Sequence, residues 1–261
     1  MDIPGMPEAE AQGVVVVPAE AGKRLIGRAV ARLPQVQRAQ RDGLLVVGWG
    51  TTNAYVLEEL LGRPIPKGRY VAGYLAAELG VLPPAAREPM VVLERGEPRE
   101  LAWPEVLARL GPGDVVIKGG NLLDPQGVVG VYVAGGDGGT VGKFLAPALA
   151  RGVEVVIPIS RSKAVHTSVV ALAQRLGAGR LVCCAGPKIG VIPLLGTVVT
   201  ETEAVSLLYG VRAEHIGGGG VGRGRGAVVL LLSGPRDAVE RAFSEIAALG
   251  RSEPPLDVGE P

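Results

Sequence analysis

The sequence predicts an α/β fold, a mostly parallel sheet with helices on both faces, followed by a small C-terminal α+β unit. Three observations carry that expectation. Stretches such as Leu44-Leu45-Val46-Val47 and Val115-Val116-Ile117 are continuous apolar runs, as strands buried on both faces should be. Glycine-rich loops follow these runs and lead into helical patterns, the grammar of strands joined by helical crossovers. With 261 residues, 47% of them hydrophobic, the chain is long enough to bury a substantial core.

Taken in order, the β-branched run 14–17 predicts a first strand. Leu25, Ile26, Ala29, Val30 and Leu33 recur at helical spacing and predict a helix over 20–33 that Pro34 ends or interrupts. Residues 44–62 read as strand, Gly/Thr loop and helix, and Arg63-Pro64-Ile65-Pro66-Lys67-Gly68 is a loop. A short helix is expected over 70–80, a hairpin or irregular excursion around Gly96, and a short helix over 103–110 opened by Pro104. Strands over 115–117 and 128–134, a helix over 141–151, a strand over 153–159, a helix over 167–176 and a strand over 181–185 complete a first unit set at 13–192.

Past Pro193 the pattern changes to a strand at 197–200, a helix at 201–209 capped by Thr200 and ended by Gly210, strands at 212–216 and 227–232, and a helix at 235–249. That order predicts an antiparallel sheet backed by two helices over 193–250, part of a ferredoxin-like unit. A loose tail is expected over 251–261, which contains Pro254, Pro255 and Gly259.

Composition excludes several classes of function. With 27 basic and 26 acidic residues the net charge is +1, which gives no bulk attraction to nucleic acid or to an anionic membrane. Aromatic residues, at 3%, are too sparse for a base-stacking platform. Mean hydropathy is +0.30, yet no apolar run approaches the roughly 18 residues of a membrane span. Residues 1–8 carry no basic and apolar leader, so a soluble cytoplasmic protein is the expectation. Cys183 and Cys184 are expected to be reduced core residues, with a redox pair or metal site as the alternative. No Cys/His set stands at ligand spacing, so neither a metal nor a cofactor is expected.

The most informative stretch is 44–62. Gly48 and Gly50 allow a sharp turn and close approach to a ligand, and Thr51, Thr52 and Asn53 can cap the helix and present donors to a phosphate or carboxylate. The plain alternative is a well-capped strand-to-helix turn. Two further glycine loops, Lys118-Gly119-Gly120-Asn121 and Gly135-Gly136-Asp137-Gly138-Gly139-Thr140, follow predicted strands. Ligands on parallel sheets bind beyond the carboxyl ends of the strands.

The segment 23–62, a helix leading into Val-Val-Gly-Trp-Gly-Thr-Thr-Asn, resembles the start of ribose-5-phosphate isomerase A proteins, where a helix precedes a Gly-x-Gly-Thr-Gly-Ser-Thr type loop. The stretch 114–127 is similar to a degenerate form of that family's strand ending in Asp-Gly-Ala-Asp-Glu. Gly-Gly-Asp-Gly-Gly-Thr stands in the place of its Lys-Gly-Gly-Gly segment, and Pro158-Ile-Ser-Arg-Ser-Lys163 resembles its Asp-Glu-Ser-Lys turn. The resemblance covers residues 23–165 and implies the superfamily of glucosamine-6-phosphate deaminase, ribose-5-phosphate isomerase and CoA-transferase folds, with a Rossmann-like sheet.

Departures from the family bear on chemistry. Its isomerases remove a proton beside a carbonyl with a carboxylate, but both expected aspartates are missing from Lys118-Gly119-Gly120-Asn121-Leu122. Asp137 is the remaining candidate acid, or a turn residue, while Asp124 before Pro125 reads as a turn residue or a site acid. Glu94 is either a CoA-transferase-type nucleophile or a solvated hairpin charge. Lys118, at the ligand edge of the sheet, can hold an anion or polarise a carbonyl, and Lys143 and Lys163 are further candidates for the same anion. His166 is the better placed acid or base of the two histidines, and His215 is expected to be structural. The run 217–226, with Arg223 and Arg225, is either an anion-binding flap or a hairpin connection.

The expectation is a small anionic metabolite, phosphorylated or carboxylated, held among Gly48, Gly50, Thr51, Thr52, Asn53, Lys118, Gly119, Gly120, Asn121, Gly138, Gly139, Thr140, Lys143 and Lys163. Catalysis, if present, would be isomerase or CoA-transferase-like and would rest on Asp137 and Lys118. The alternative is a ligand-sensing or assembly subunit that has lost its acids and forms a homo-oligomer through the C-terminal unit. A nicotinamide-dependent oxidoreductase is disfavoured, because the opening loop lacks the third glycine.

Overall fold

The computed structural model describes residues 11–256. In chain order the elements are β1 (Ala11–Val17), α1 (Ala19–Ala31), α2 (Pro34–Asp42), β2 (Leu44–Val47), α3 (Thr51–Leu61), β3 (Gly73–Leu75) and β4 (Leu79–Val81). There follow β5 (Val91–Glu94), β6 (Glu97–Arg99), α4 (Trp103–Arg109), β7 (Val115–Ile117), β8 (Leu122–Leu123), β9 (Val129–Val133) and α5 (Gly139–Arg151). The chain continues through β10 (Glu154–Pro158), α6 (Val169–Arg175), β11 (Gly190–Leu194), β12 (Thr197–Val199), α7 (Glu201–Tyr209), β13 (Arg212–Gly219), β14 (Ala227–Gly234) and α8 (Arg236–Ser252).

The centre is a six-stranded mixed sheet in the order β12-β10-β7-β2-β5-β6. Its first four strands are parallel, and the β5–β6 hairpin adds two antiparallel strands at one edge. Strand alternation sends Leu45, Val47, Val115, Ile117 and Val156 to one face, where they pack with α1, α3, α7 and α8. Leu44, Val46, Val116, Val155 and Ile157 face the other way, against Phe144 and Ala148 of α5 and Val106 of α4. Continuous apolar runs therefore reflect cover on both sides, as the sequence predicts. Each fully buried Leu, Ile or Phe in these layers contributes about 1.5–3 kcal/mol of hydrophobic free energy.

Helix α1 is clamped onto the sheet by α3. A Cβ on Gly27 would meet the Tyr55 backbone at 3.0 Å, so the two helices touch at that glycine. Arg24 lies 4.7 Å from the centre of the Tyr55 ring and pairs with Glu58, with Glu59 at 3.0 Å and with Glu253 at 2.9 Å. Glu253, at the start of the expected loose tail, is thus tied down, and α8 runs on to Ser252.

Several elements differ from expectation. Residues 70–80 form the β3–β4 hairpin and not a helix; Tyr70 is pinned at the β2 edge, its hydroxyl donating to the Val47 carbonyl at 2.5 Å, and the Tyr74 ring covers Gly80 across the hairpin. Residues 181–185 are not a strand, because β12 occupies the sheet edge beside β10. Leu79 donates to the Ala185 carbonyl at 3.0 Å, and Cys183 is exposed where a core residue was expected. β9 leaves the parallel sheet altogether and pairs antiparallel with β8 and β11.

The strand expected to open the C-terminal unit, β12, joins the large sheet, whereas β1 from the N-terminal side pairs antiparallel with β14 over all seven of its residues. β13 completes that sheet with a bulge between His215 and Gly217, so the glycine run begins inside a strand and ends as a hairpin connection. The Thr200 cap is as expected, in a full capping box with Glu203, and Gly210 ends α7 in the left-handed conformation. Among the described residues no helix is long and apolar enough to cross a membrane.

Candidate functional site

Three parallel strands end at one place. The ladder continues past their last residues: Gly48 N–H donates to the Ile117 carbonyl at 2.9 Å and Lys118 N–H to the Val156 carbonyl at 2.9 Å. The ends of β2, β7 and β10 are therefore zipped together up to the loops that follow them. The 48–50 turn is braced from outside, with Gly50 N–H donating to the Tyr70 carbonyl at 2.9 Å and Trp49 Nε1 to the Glu88 carbonyl at 2.8 Å.

Glycine makes this convergence sterically feasible. A Cβ on Gly48 would stand 3.1 Å from Lys118 Cδ and 3.2 Å from the Ile117 carbonyl oxygen. A Cβ on Gly119 would stand 3.3 Å from both Asn53 Oδ1 and the Pro158 carbonyl, and one on Gly120 would run into Val129. Side chains from neighbouring segments fill the space these glycines leave.

Thr51, Thr52 and Asn53 form the first turn of α3 itself, not its cap as expected; the capping position is Gly50, and no side chain caps the helix. The first-turn N–H groups and the positive end of the helix dipole consequently lie beside the loop. Asn53 is fully buried; its Nδ2 donates to the Gly48 carbonyl at 2.7 Å, and its Oδ1 has no hydrogen-bond partner. A buried acceptor without a donor is costly, so this atom marks the spot as one made for something further.

Two lysines reach the same loop. Lys118 Nζ donates to the Gly119 carbonyl at 2.8 Å, and Lys163 Nζ donates to the next carbonyl, Gly120, at 2.7 Å. Among the described residues neither ammonium forms an ion pair with a carboxylate. Both side chains keep part of their surface open yet sit deep among protein atoms. Burial, followed by the neighbouring Lys163 charge, pushes Lys118 down to about 8. Lys163 is also pushed down to about 8, by burial and then by Lys23, with Glu201 opposing the shift.

Glu201 and Lys23 were not among the expected site residues. Glu201 is 1% exposed, and burial raises its pKa. One carboxylate oxygen accepts from Arg161 N–H at 2.8 Å, and the other lies 2.7 Å from where a Cβ on Gly22 would be. Gly22 in α1 thus makes room for the acid, and the adjacent Lys23 pairs with Glu20 at 3.7 Å. The signal for Glu201 is in the sequence: Glu203 completes the Thr200 capping box, which leaves the acid at the first position of α7 surplus to capping.

The other expected residues lie apart from this cluster. Asn121 Oδ1 accepts from Tyr132 N–H at 3.0 Å and fastens β9. The 135–140 loop emerges from the far end of β9, about five residues or roughly 16 Å of strand beyond Gly130, which touches the lysine loop. There Asp137 is exposed, accepts from Gly139 N–H at 2.9 Å and lies 3.8 Å from Lys143. The Gly139 hydrogen bond holds its carboxyl below the usual range. Gly138, Gly139 and Thr140 shape this turn and the start of α5.

Asp124 is a buried turn residue that accepts from Gln126, Val128 and Val169 N–H groups. Glu94 pairs with Arg99 and Arg109 on the hairpin. His166 is exposed, and His215 lines a separate concavity of about 610 Å³ with Arg161, Thr202, Glu203 and Glu214. Among the described residues no cluster of three or more His, Cys, Asp or Glu side chains is arranged to hold a metal ion. Compared with known proteins, the chain matches no family model, no curated protein and no solved structure.

Proposed function

We propose that this chain binds a small anionic metabolite, phosphorylated or carboxylated, at the carboxyl ends of β2, β7 and β10, as a divergent member of the sugar-phosphate isomerase and CoA-transferase superfamily. On that reading the parallel strands are a Rossmann-like sheet, and β1, β14 and β13 with α7 and α8 are a ferredoxin-like appendage. One observation carries the proposal: Lys118 and Lys163 are held together on consecutive carbonyls, and among the described residues neither is ion-paired with a carboxylate, Glu201 acting on Lys163 only at a distance. Two half-desolvated cations beside an uncapped helix N-terminus make an anion the missing counter-charge. Binding would raise the pKa of both ammonium groups, so affinity is greatest below pH about 8 and falls above it.

The test is thermal denaturation against a panel of phosphate monoesters and small carboxylates. A ligand at a hundred times its Kd adds about 2.7 kcal/mol, worth roughly 5–10 °C in a chain of this size. Lys118→Ala should remove the shift and Thr51→Ala should reduce it. A panel that stabilises nothing sinks the proposal.

A second reading, a ligand-sensing or assembly subunit without turnover, is favoured by the engagement of Asp137 in its own turn. Turnover of a sugar phosphate or an acyl-CoA thioester, lost in Lys118→Met, would eliminate it.

A further inference from the structure

The lysine cluster has features that charge neutralisation alone does not use. Lys163 has two charged neighbours in its field, the repelling Lys23 and the buried acid Glu201, which favours its charged form; Lys118 has only the repelling Lys163 charge. With both groups lowered to about 8, Lys118 as the free amine beside Lys163 as the ammonium is a populated state near that pH. Lys118 is also held in place along its length, with Cδ over Gly48 and Nζ at the Gly119 carbonyl. The unpartnered Asn53 Oδ1 lies 3.3 Å from where a Cβ on Gly119 would be, beside that same residue. It can accept from a ligand hydroxyl, a group that a bare anion does not offer.

Resting on the anion-binding reading, we propose that Lys118 is an imine-forming lysine whose substrates are small carbonyl compounds that also carry an anionic group. The Lys118 amine attacks the carbonyl carbon; a C–N bond forms as the C=O π bond breaks, and the oxygen takes a proton from the Lys163 ammonium. The resulting carbinolamine hydroxyl donates to Asn53 Oδ1. The attacking nitrogen releases one of its two protons to solvent, and one proton taken up from solvent lets the oxygen leave as water, which leaves the iminium on Lys118. Carbonyl plus amine plus one proton gives iminium plus water, with no redox partner needed. Lys163 then stands with its amine neutral until it is reprotonated from solvent. A lysine beside another cation in a desolvated site is the arrangement that activates an amine as a nucleophile.

Pyridoxal phosphate joins an aldehyde to a phosphate monoester and serves as the probe, with borohydride to reduce the imine and peptide mapping to locate it. The expected result is one equivalent on Lys118, suppressed by prior inorganic phosphate and increasing as pH rises towards about 8. Lys118→Arg should abolish the adduct, and Lys188→Arg, at an exposed lysine outside the cluster, should leave its yield unchanged. Adduct spread over Lys143 and Lys188 with Lys118 unmodified overturns the proposal, and mapping the unsubstituted protein decides this even if Lys118→Arg does not fold. Stabilisation by inorganic phosphate, measured alongside, separates the two ideas. Stabilisation without a Lys118 adduct defeats only the imine, whereas an adduct without stabilisation defeats the anion reading on which it rests.

Discussion

The loops at 48–53 and 135–140 look alike in sequence, each a glycine-rich turn between an apolar strand and a helix, yet they use glycine for different ends. In the first, the space beside Gly48 is taken by a distant part of the chain, the Lys118 side chain and the Ile117 carbonyl. In the second, glycine serves the loop itself. Gly138 and Gly139 adopt positive φ, and the space beside Gly142 holds the Asp137 carbonyl of the same turn. One loop is a joint between strands of a parallel sheet; the other is a surface turn at the end of an antiparallel one. A glycine motif becomes a site when what presses on it is foreign to it.

Substitutions can break this contrast, and the largest effect should come from Gly120→Ala. Its Cβ would collide with Val129 and approach the Gly130 carbonyl at 3.1 Å, so overpacking should cost about 1–3 kcal/mol in chemical denaturation. Next is Lys118→Met, which removes a half-buried charge. It should abolish anion binding yet raise the melting temperature by roughly 2–4 °C, the equivalent of about 1 kcal/mol. Gly48→Ala pushes on Lys118 and should weaken anion affinity roughly tenfold, a loss of about 1.4 kcal/mol by titration calorimetry.

The pH dependence sharpens the same comparison. Lys118 and Lys163 fall from 10.5 to about 8 on folding, so between those values the unfolded chain holds protons that the folded chain has released. Stability should therefore rise with pH across that window and be lower beneath it. Lys118→Met should flatten the rise in a melting series run from neutral pH upward, and a fall over the same range would contradict the burial of the pair. Smallest of all, Asp137→Asn and Gly136→Ala in the exposed loop should each change stability by less than about 0.5 kcal/mol and leave anion binding intact.

The parallel strands, the 48–53 turn, Lys118 and Lys163 were legible in the sequence because apolar runs and glycine punctuation are local signals. The 90–101 hairpin and the Thr200 cap were legible for the same reason. What failed depended on partners. Val129–Val133 has the composition of a parallel strand, but its neighbour is Gly190–Leu194, a stretch with Pro193 inside it that gives a weak strand signal. Residues 70–80 carry a helical pattern that loses to the pinning of Tyr70 against Val47. Glu201 and Lys23 were missed because one heads a capped helix and the other lies on an amphipathic one, where charge ordinarily means solvent. Only the fold reveals that Gly22 opens a place for the acid between them.

The pairing of β1 with β14 bears on how the molecule assembles during synthesis. Helix α1, which covers Glu201 and carries Gly22 and Lys23, follows directly from a strand whose partner is made more than two hundred residues later. During translation the β2, β7 and β10 edges can zip up, but α1 has no anchored β1 before it until β14 leaves the ribosome. The part of the altered proton affinity of Lys163 that comes from Lys23 should thus arrive with the last sheet to close.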